Sequence, residues 1–456
     1  MTDSTFPNEW HYTTLGSIAV WGSGGTPSRK NTDYYGGDIP WIKTGDLGPK
    51  VLSEASEYIT DVGVQKSSAK YFSQGSVVIA MYGATIGKVS ILGIDATTNQ
   101  ACGVGQPVSG LTDSNFLYYL LRNEKDAFIA KGQGGAQPNI SQTVIKEHSI
   151  TLPPLAEQKV IADKLDILLA QVNNTKARLE RIPEILKRFR ESVLGAAVSG
   201  RLTEEWRVDR SLDFNSWENT TFSDICREIT VGYVGKMGDR YEEDGVPFLR
   251  SQNVRAFHFS PINLLYISEE FHQKIYKSRL EQGDLAIVRS GAPGTTCVIP
   301  ESLGVANCSD LVIARPTDKL ISEFGCIFMN SEIAKKNVLE NRVGVAQQHF
   351  NVGSMKKMPI HLPSIEEQTE IVRRVDQLFA YADTVECQVN SALEHVNQLT
   401  QSILAKAFRG ELTAQWRADN VELISGDNSA EALLERIKVE RAAQAPTKRT
   451  RKKATA

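Results

Sequence analysis

The 456-residue chain has no run of 18 apolar residues, and its start, MTDSTFPNEW, has neither basic residues nor an apolar stretch. A membrane span and a secretory leader are therefore not expected, and the chain reads as cytoplasmic with no membrane partner. Cysteine is sparse. Cys102, Cys226, Cys297, Cys308, Cys326 and Cys387 lack CxxC spacing, which speaks against a zinc site or a disulfide framework and for reduced, mostly buried thiols. His11, His148, His258, His272, His349, His361 and His395 show no HxxxH or HExxH spacing, so no metal site is expected. Excess positive charge is missing too. The net charge is −3, and residues 1–151 hold 11 Lys/Arg against 13 Asp/Glu, while 208–361 hold 17 against 19. Only KRTRKK at 448–453 is lopsided. It reads as a solvated tail, with weak phosphate contact as the alternative.

Catalytic signatures are absent as well. MYGATIGKVSI at 81–91 looks like a phosphate-binding loop, but three residues rather than four separate Gly83 from Gly87, and Val89 follows Lys88 where a magnesium-binding hydroxyl would stand. There is no NPPY-like or DPPY-like tetrapeptide for methylating adenine and no PD…ExK-like nuclease cluster. What the chain does have is 41% hydrophobic residues and enough length for two to four domains.

It also has an internal repeat. LPPLAEQ at 152–158 returns as LPSIEEQ at 362–368, and LTEEWR at 202–207 returns as LTAQWR at 412–417, both 210 residues later. Trp10-x-x-Thr13-Thr14 matches Trp217-x-x-Thr220-Thr221, DIPWI at 38–42 matches GVPFL at 245–249, and QGSVVIAMYGA at 74–84 matches QGDLAIVRSGA at 282–292. Ala136-Gln137 likewise matches Ala346-Gln347. One unit of about 210 residues is written twice.

Each unit has two textures. Its first 150 residues alternate short Val/Ile runs with glycine turns, as in SVVIAMYG and DLAIVRSG, which predicts strands, with a helix expected near 115–130 and near 323–340. Its second part carries a heptad stripe: Val375, Leu378, Ala382, Val385, Val389, Ala392, Val396, Leu399 and Ile403. The first copy offers Leu165, Leu168, Val172, Thr175, Leu179, Ile182, Leu186, Phe189 and Val193, eight of nine apolar, which is a coiled-coil signature. A helix from 155 to 199 would span about 65 Å at 1.5 Å per residue. Pro183, opposite Leu393 in the second copy, is expected to kink it. The simplest arrangement pairs the two helices within the chain, so that two heads flank a double helix like the jaws of a caliper. Duplication also implies a pseudo-twofold axis, suiting duplex DNA or a pair of identical subunits as ligand.

LPPLAEQKVIADKLDILLAQV with ILKRFRESVLGAAVSGRLTEEWR, and LPSIEEQTEIVRRVDQLFAYAD with LTQSILAKAFRGELTAQWR, closely resemble the conserved regions of type I restriction-modification specificity subunits. GGTPSRKNTDYYGGDIPWIKTGDL at 24–47 resembles the start of many of that family's target recognition domains, from which VGYVGKMGDRYEEDGVPFLRSQNV at 231–254 departs. The resemblance implies an α+β chain. Two globular α/β target recognition domains (1–151 and 208–361) would be separated by two long antiparallel coiled-coil helices in conserved regions at 152–207 and 362–417, related by a pseudo-twofold internal repeat and followed by an extension at 418–456 with the basic tail. It further implies a non-catalytic reader of bipartite double-stranded DNA, one domain per half-site, with the helices setting the spacer. Two modification (methyltransferase) subunits using S-adenosylmethionine and two restriction (endonuclease/translocase) subunits using ATP and Mg would assemble on it. No cofactor is expected in this chain. A pseudo-symmetric protein scaffold without DNA readout is the alternative, and an enzyme a distant third.

Base reading favours Arg or Lys on guanine and Asn or Gln on adenine, with hydroxyls and amides on phosphates. Polar residues on glycine-rich loops are the candidates: Ser28, Arg29, Lys30, Lys43, Thr44, Tyr82, Lys88, Gln133, Gln137 and Asn139 in the first domain. In the second they are Lys236, Arg250, Ser251, Gln252, Asn253, Arg289, Ser290, Gln347, Gln348 and His349. The stretch at 81–91 belongs to this set, because its copy at 289–299 keeps the Gly-Ala turn while exchanging Met81 for Arg289 and Tyr82 for Ser290. A shared turn with different side chains suits two readers of different sequences. A plain structural hairpin is the other reading.

Overall fold

The computed structural model describes residues 6–132, 139–213, 216–340 and 350–443; Gln133, Gln137, Gln347, Gln348, His349, the Ala136/Ala346 match and the basic run at 448–453 lie outside the described residues. Two compact units emerge, Met1–Arg178 with Leu393–Ala456, and Leu179–Ala392. Both boundaries fall within the heptad regions, so each unit takes helix from both copies of the repeat. No helix among the described residues is long and apolar enough to cross a membrane.

In the first unit a five-stranded sheet runs in the order Ala19–Ser23, Cys102–Pro107, Val77–Ala80, Val89–Leu92, Val51–Leu52. A second, four-stranded sheet is ordered Tyr58–Ile59, Tyr35–Ile42, Ala96–Thr98, Tyr71–Phe72, its middle pair parallel. The second unit repeats the plan. Cys226–Val231, Leu311–Pro316, Leu285–Val288 and Thr296–Val298 form one sheet. Leu265–Ile267, Val246–Leu249, Ala306–Cys308 and Arg279–Leu280 form the other, again with a parallel middle pair. Every residue of Val77–Ala80 and Leu285–Val288 is buried, as uninterrupted apolar runs require of strands covered on both faces. The expected helices each arrive in two pieces, Ser114–Asn123 with Lys125–Ala130 and Ser322–Asn330 with Glu332–Glu340. A two-stranded ladder joins the ends of each recognition part, His11–Thr14 with Ser149–Leu152 and Glu218–Thr221 with Pro359–Leu362.

The second heptad region is one unbroken helix, Ile365–Phe408, of 44 residues. The single helix expected over 155–199 is not found: Leu155–Leu179 ends, and Ile182–Val198 begins after a gap of two residues. Pro183 lies in the first turn of the second piece, where its missing amide leaves no helical bond unmade, whereas Leu393 lets the other copy continue. Within each unit the helices pack antiparallel, since numbers fall along one as they rise along the other. Lys164 donates to the Leu412 carbonyl (2.8 Å) and Lys176 to Asn397 Oδ1 (2.9 Å) in the first unit. In the second, Arg190 binds Asp383 (2.7 Å) and Glu386 (2.9 Å), and Arg374 donates to the Leu202 carbonyl (2.8 Å). Along the stripe Leu165, Leu186, Val193, Val375, Ala382, Val389 and Val396 are buried, while Leu168, Val172, Leu179, Ile182, Phe189, Leu378, Val385 and Ile403 are half-buried. Leu399 departs from the stripe at 46% exposed, because burial passes to Leu404 and Ala407 where the helix meets the head and Phe408 packs on Phe116.

The repeated motifs build two matching latches. In the first unit the buried Glu157 accepts from Trp10 Nε1 (2.9 Å), Thr413 Oγ1 (2.6 Å) and Arg417, which also donates to the Gly410 carbonyl (2.8 Å). In the second, Glu367 accepts from Trp217 Nε1 (2.9 Å), Thr203 Oγ1 (2.7 Å) and Arg207, which donates to the Gly200 carbonyl (2.6 Å). Each carboxylate is thus held by the Thr and Arg of the other copy. The adjacent glutamines pin the chain before the helix: Gln158 Nε2 donates to the Pro153 carbonyl and Gln368 Nε2 to the Pro363 carbonyl. Five cysteines are buried and Cys387 is exposed. Burial pushes the Cys102, Cys226 and Cys297 thiols up to about 12, and Cys308 and Cys326 up as well.

Candidate nucleic-acid interface

In both heads the backbone draws candidate positions into one row. In the first, Asn99 N donates to the Ile42 carbonyl (2.9 Å), so the loop after the Ala96–Thr98 strand lies beside Lys43. Met81 N then donates to the Ala101 carbonyl (2.9 Å), Ile140 N donates to the Met81 carbonyl (2.9 Å), and Tyr82 bridges Asn139. In the second, Ser309 N donates to the Leu249 carbonyl (2.9 Å) beside Arg250, and Phe350 N donates to the Arg289 carbonyl (3.4 Å). Lys43 thereby corresponds to Arg250, and Tyr82 to Ser290.

The side chains differ along that row. Arg29, on the exposed loop Ser28–Lys30, lies 4.3 Å from the Tyr35 ring centre and 5.1 Å from that of Trp41, and grips Glu57 with both terminal nitrogens. Lys43 Nζ meets the same carboxylate at 3.0 Å. The Arg29 hydrogen bond is the chief cause holding the Glu57 carboxyl down at about 2, with Lys43 adding to it. Tyr35 Oη donates to the Pro27 carbonyl (2.5 Å) and Trp41 Nε1 to the Gly25 carbonyl (3.0 Å), fixing the loop that carries Arg29. A Cβ on Gly24 would fall 1.8 Å from the Thr98 carbonyl oxygen, which explains the GG pair in the motif. Thr44 is half-buried; Ser28, Lys30, Tyr82, Lys88 and Asn139 are exposed. The loop at 83–88 is a hairpin turn between strands, with Gly83 (φ 59°) and Gly87 (φ 78°) in the left-handed region, and not the strand-to-helix cradle of a phosphate loop.

In the second head Arg289 binds Asp310 (2.7 Å) and the Phe350 carbonyl (3.2 Å), and Ser290 donates to the other Asp310 oxygen (3.2 Å). Arg250 and Gln252 both donate to the Asn263 carbonyl, at 3.0 and 3.3 Å. Asn253 proves to be a loop brace rather than a surface reader. It is fully buried, accepting from Arg250 N and donating to the Ser260 and Ile262 carbonyls. Ser251 is half-buried beside it, and Lys236 stands exposed on the loop after Gly232.

Among the described residues two buried side-chain polar atoms lack a partner, Asn99 Oδ1 and Arg250 Nε. Both lie on this row, one in each head. An unsatisfied buried group costs on the order of 1–3 kcal/mol; Asn99 sits on the loop beside Lys43, and Arg250 is the residue that matches Lys43. Sequence reasoning missed Glu57 and Asp310, the carboxylates that orient the cations, because each is remote in sequence from its partners. It also missed Asn99, although the TTNQ loop that carries it is the kind of polar turn from which the other candidates were drawn. No group of three His, Cys, Asp or Glu side chains that could hold a metal occurs among the described residues.

A family model described as the type I restriction modification DNA specificity domain matches residues 7–184 and 215–395. The chain belongs to the type I restriction-modification specificity family. It is 37% identical over 475 residues to the EcoKI specificity subunit of Escherichia coli, covering 99% of this chain and 100% of that one. It is 42% identical over 355 residues to the Escherichia coli EcoBI specificity subunit, covering 75% and 74%, and 36% identical over 474 residues to that of StySPI from Salmonella potsdam, covering both in full. Among solved structures it resembles a chain of a type I R-M system with a TM-score of 0.68 at 18% identity, covering 89% of this chain and 99% of that one. The HsdS subunit from Thermoanaerobacter tengcongensis gives 0.61 at 18% identity, covering 90% and 99%. These likenesses show the fold, two domains with long helix. Members of the family are non-catalytic DNA specificity subunits, and this chain is one of them.

Proposed function

We propose that this chain reads a bipartite duplex, one half-site with residues 1–151 and the other with 208–361. The observation that carries this is the shared row, with one backbone plan and different polar groups in each head. In the first head Arg29, Lys43, Tyr82 and Asn139 are the reading groups, with Ser28, Lys30, Thr44 and Lys88 beside them; in the second they are Lys236, Arg250, Ser251, Gln252, Arg289 and Ser290, with Asn253 bracing the turn. Gln133, Gln137, Gln347, Gln348 and His349 belong to the same proposal on sequence grounds. Arg29 and Arg289 are pre-oriented by Glu57 and Asp310, and would exchange a carboxylate for a guanine edge or a phosphate on binding. The exposed Arg29, Lys30, Asn139, Lys236 and Gln252 favour this reading over a scaffold that touches no nucleic acid.

The regions 152–207 and 362–417 form an antiparallel coiled-coil pair that sets the spacer, and the two copies are related by a pseudo-twofold. Matching latches and antiparallel contacts in each unit support this. Two methyltransferase subunits, using S-adenosylmethionine, and two restriction subunits, using ATP and Mg, assemble on the chain in the cytoplasm, while residues 418–456 extend it. Mapping methylated adenines in DNA from cells that express the chain with its methyltransferase subunit tests the proposal. It expects one interrupted motif with an adenine modified in each half, and a continuous motif or none would contradict it.

A further inference from the structure

The first unit holds a cavity of about 510 Å³ whose walls carry Lys50, Lys88, Arg122 and Lys125, the rings of Tyr118 and Tyr119, and one carboxylate, Asp166. That carboxylate is already committed, accepting from the Tyr119 hydroxyl and pairing with Lys50. Arg122 lies 5.5 Å from the Tyr118 ring centre and donates to its hydroxyl at 3.3 Å. Within the described residues Lys88, Arg122 and Lys125 form no ion pair. Three uncompensated cations therefore face one cavity in a chain whose net charge is −3. The placement is built in: Gly87 has φ 78°, and a Cβ there would fall 2.6 Å from Lys125 Cγ, so the hairpin glycine seats the Lys125 stem next to Lys88.

The second unit has the same scaffold without the charge. Ala80 N bonds the Lys88 carbonyl as Val288 N bonds the Thr295 carbonyl, both at 2.9 Å, so Thr295 stands in the place of Lys88. The equivalent glycine, Gly294, packs against Val338 instead of a lysine. Counted from the starts of the helices Ser114–Asn123 and Ser322–Asn330, Tyr118, Tyr119 and Arg122 give way to Cys326, Ile327 and Asn330. On the helix face matching Leu169, Phe379 meets Phe257 edge to face with ring centres 5.3 Å apart. What is cationic in one unit is apolar or neutral in the other, so the charge is not a requirement of the fold.

We propose that this cavity is a phosphate-binding site belonging to the first unit alone. Lysines act as point charges toward phosphate and a guanidinium adds directed donors, while the tyrosine walls lower the local dielectric and strengthen both. The phosphate comes either from a duplex backbone beside the first half-site, in which case the site rests on the DNA reading above, or from a free polyphosphate.

The test uses the full chain, wild type and Arg122→Gln/Lys125→Gln, two cavity cations outside the reading row; Arg122 is half-buried and Lys125 exposed, so no buried charge is created, and an unchanged melting midpoint confirms folding. Inorganic pyrophosphate is titrated calorimetrically, and duplex binding is followed against salt for the methylation-mapped duplex and for a scrambled one. A backbone phosphate predicts that the slope of log K against log salt becomes shallower by about one to two for both duplexes, since each contact contributes roughly 0.9, with the preference between them kept. A free polyphosphate predicts pyrophosphate binding that the variant weakens at least tenfold. Unchanged slopes together with no variant-sensitive pyrophosphate binding overturn the proposal. Wild-type protein that fails to prefer the mapped duplex would sink the DNA reading instead, and the pyrophosphate titration alone would then decide the cavity, its loss in the variant supporting the site and its absence overturning it.

Discussion

Replacing Arg207 with methionine in the second latch leaves Glu367 buried and short of its cation. The side chains of Glu367 and Arg207 are 2% and 6% exposed, so solvent cannot take over the lost contact. Breaking a buried, hydrogen-bonded pair from one side costs about 3–5 kcal/mol. Trp217 and Thr203 still donate to the carboxylate, which places the expected loss near the lower end, about 3 kcal/mol. For a unit of this size that corresponds to a fall in melting midpoint on the order of 10 °C. Arg417→Met should act likewise on the first unit through Glu157. The double variant Glu367→Leu/Arg207→Met removes both charges and should recover about 2 kcal/mol of the sum of the single losses, though not all of it, because Trp217 and Thr203 lose their acceptor. Scanning calorimetry on the four proteins of the cycle measures each quantity. Single variants within about 0.5 kcal/mol of wild type, with no coupling, would show that the latch does not hold the unit together.

Glu57→Gln releases Arg29 and Lys43 from their shared carboxylate, so binding to an unrelated duplex should strengthen with a salt slope steeper by about one, while preference for the mapped duplex falls. The Glu57 carboxyl sits at about 2 against an ordinary 4.5, so its pairing is complete above the ordinary value and is lost only as pH falls toward 2. Trp41 fluorescence, which reports the stacked Arg29, should therefore stay flat from pH 8 down to about 3; a step near 4.5 would contradict the pairing. Arg289→Ala should weaken discrimination in the second half-site by about 1–3 kcal/mol and leave the first half-site's methylation unchanged, and equal losses in both halves would count against independent heads.

Much of the plan was legible because the chain repeats itself. An offset of 210 residues aligned LPPLAEQ with LPSIEEQ and LTEEWR with LTAQWR, and the Val/Ile runs between glycine turns became the buried central strands. What those motifs do was not legible. Glu157 meets Arg417 across 260 residues and Glu367 meets Arg207 across 160, each pair crossing between copies, and no local pattern encodes a partner in the other repeat. Pro183 was readable as a disturbance, but whether it kinks or ends a helix depends on where the ladder can stop, and it stops just before the proline. Leu399 fitted the heptad and is exposed, since periodicity cannot tell where a helix leaves its partner for a globular core. Among the candidate readers, Asn253 had the right chemistry, yet its amide serves the turn that holds Arg250 and Gln252. Each head is close to neutral, which argues against extensive phosphate contact. The structure relieves that objection locally, by gathering Lys50, Lys88, Arg122 and Lys125 around one cavity.

The central claim is that each head reads its own half of the target. Exchanging residues 208–361 for the corresponding part of a relative of different sequence preference, then mapping methylated adenines genome-wide, tests it most directly. Glu367, Arg207 and the Ile365–Phe408 helix lie outside the exchanged segment, and the incoming part need only supply the tryptophan that completes the latch. The account predicts that one half-site changes to that of the donor while the other half-site and the spacer length stay as they were. Alteration of both halves, or of neither in a protein that still directs methylation, would contradict it.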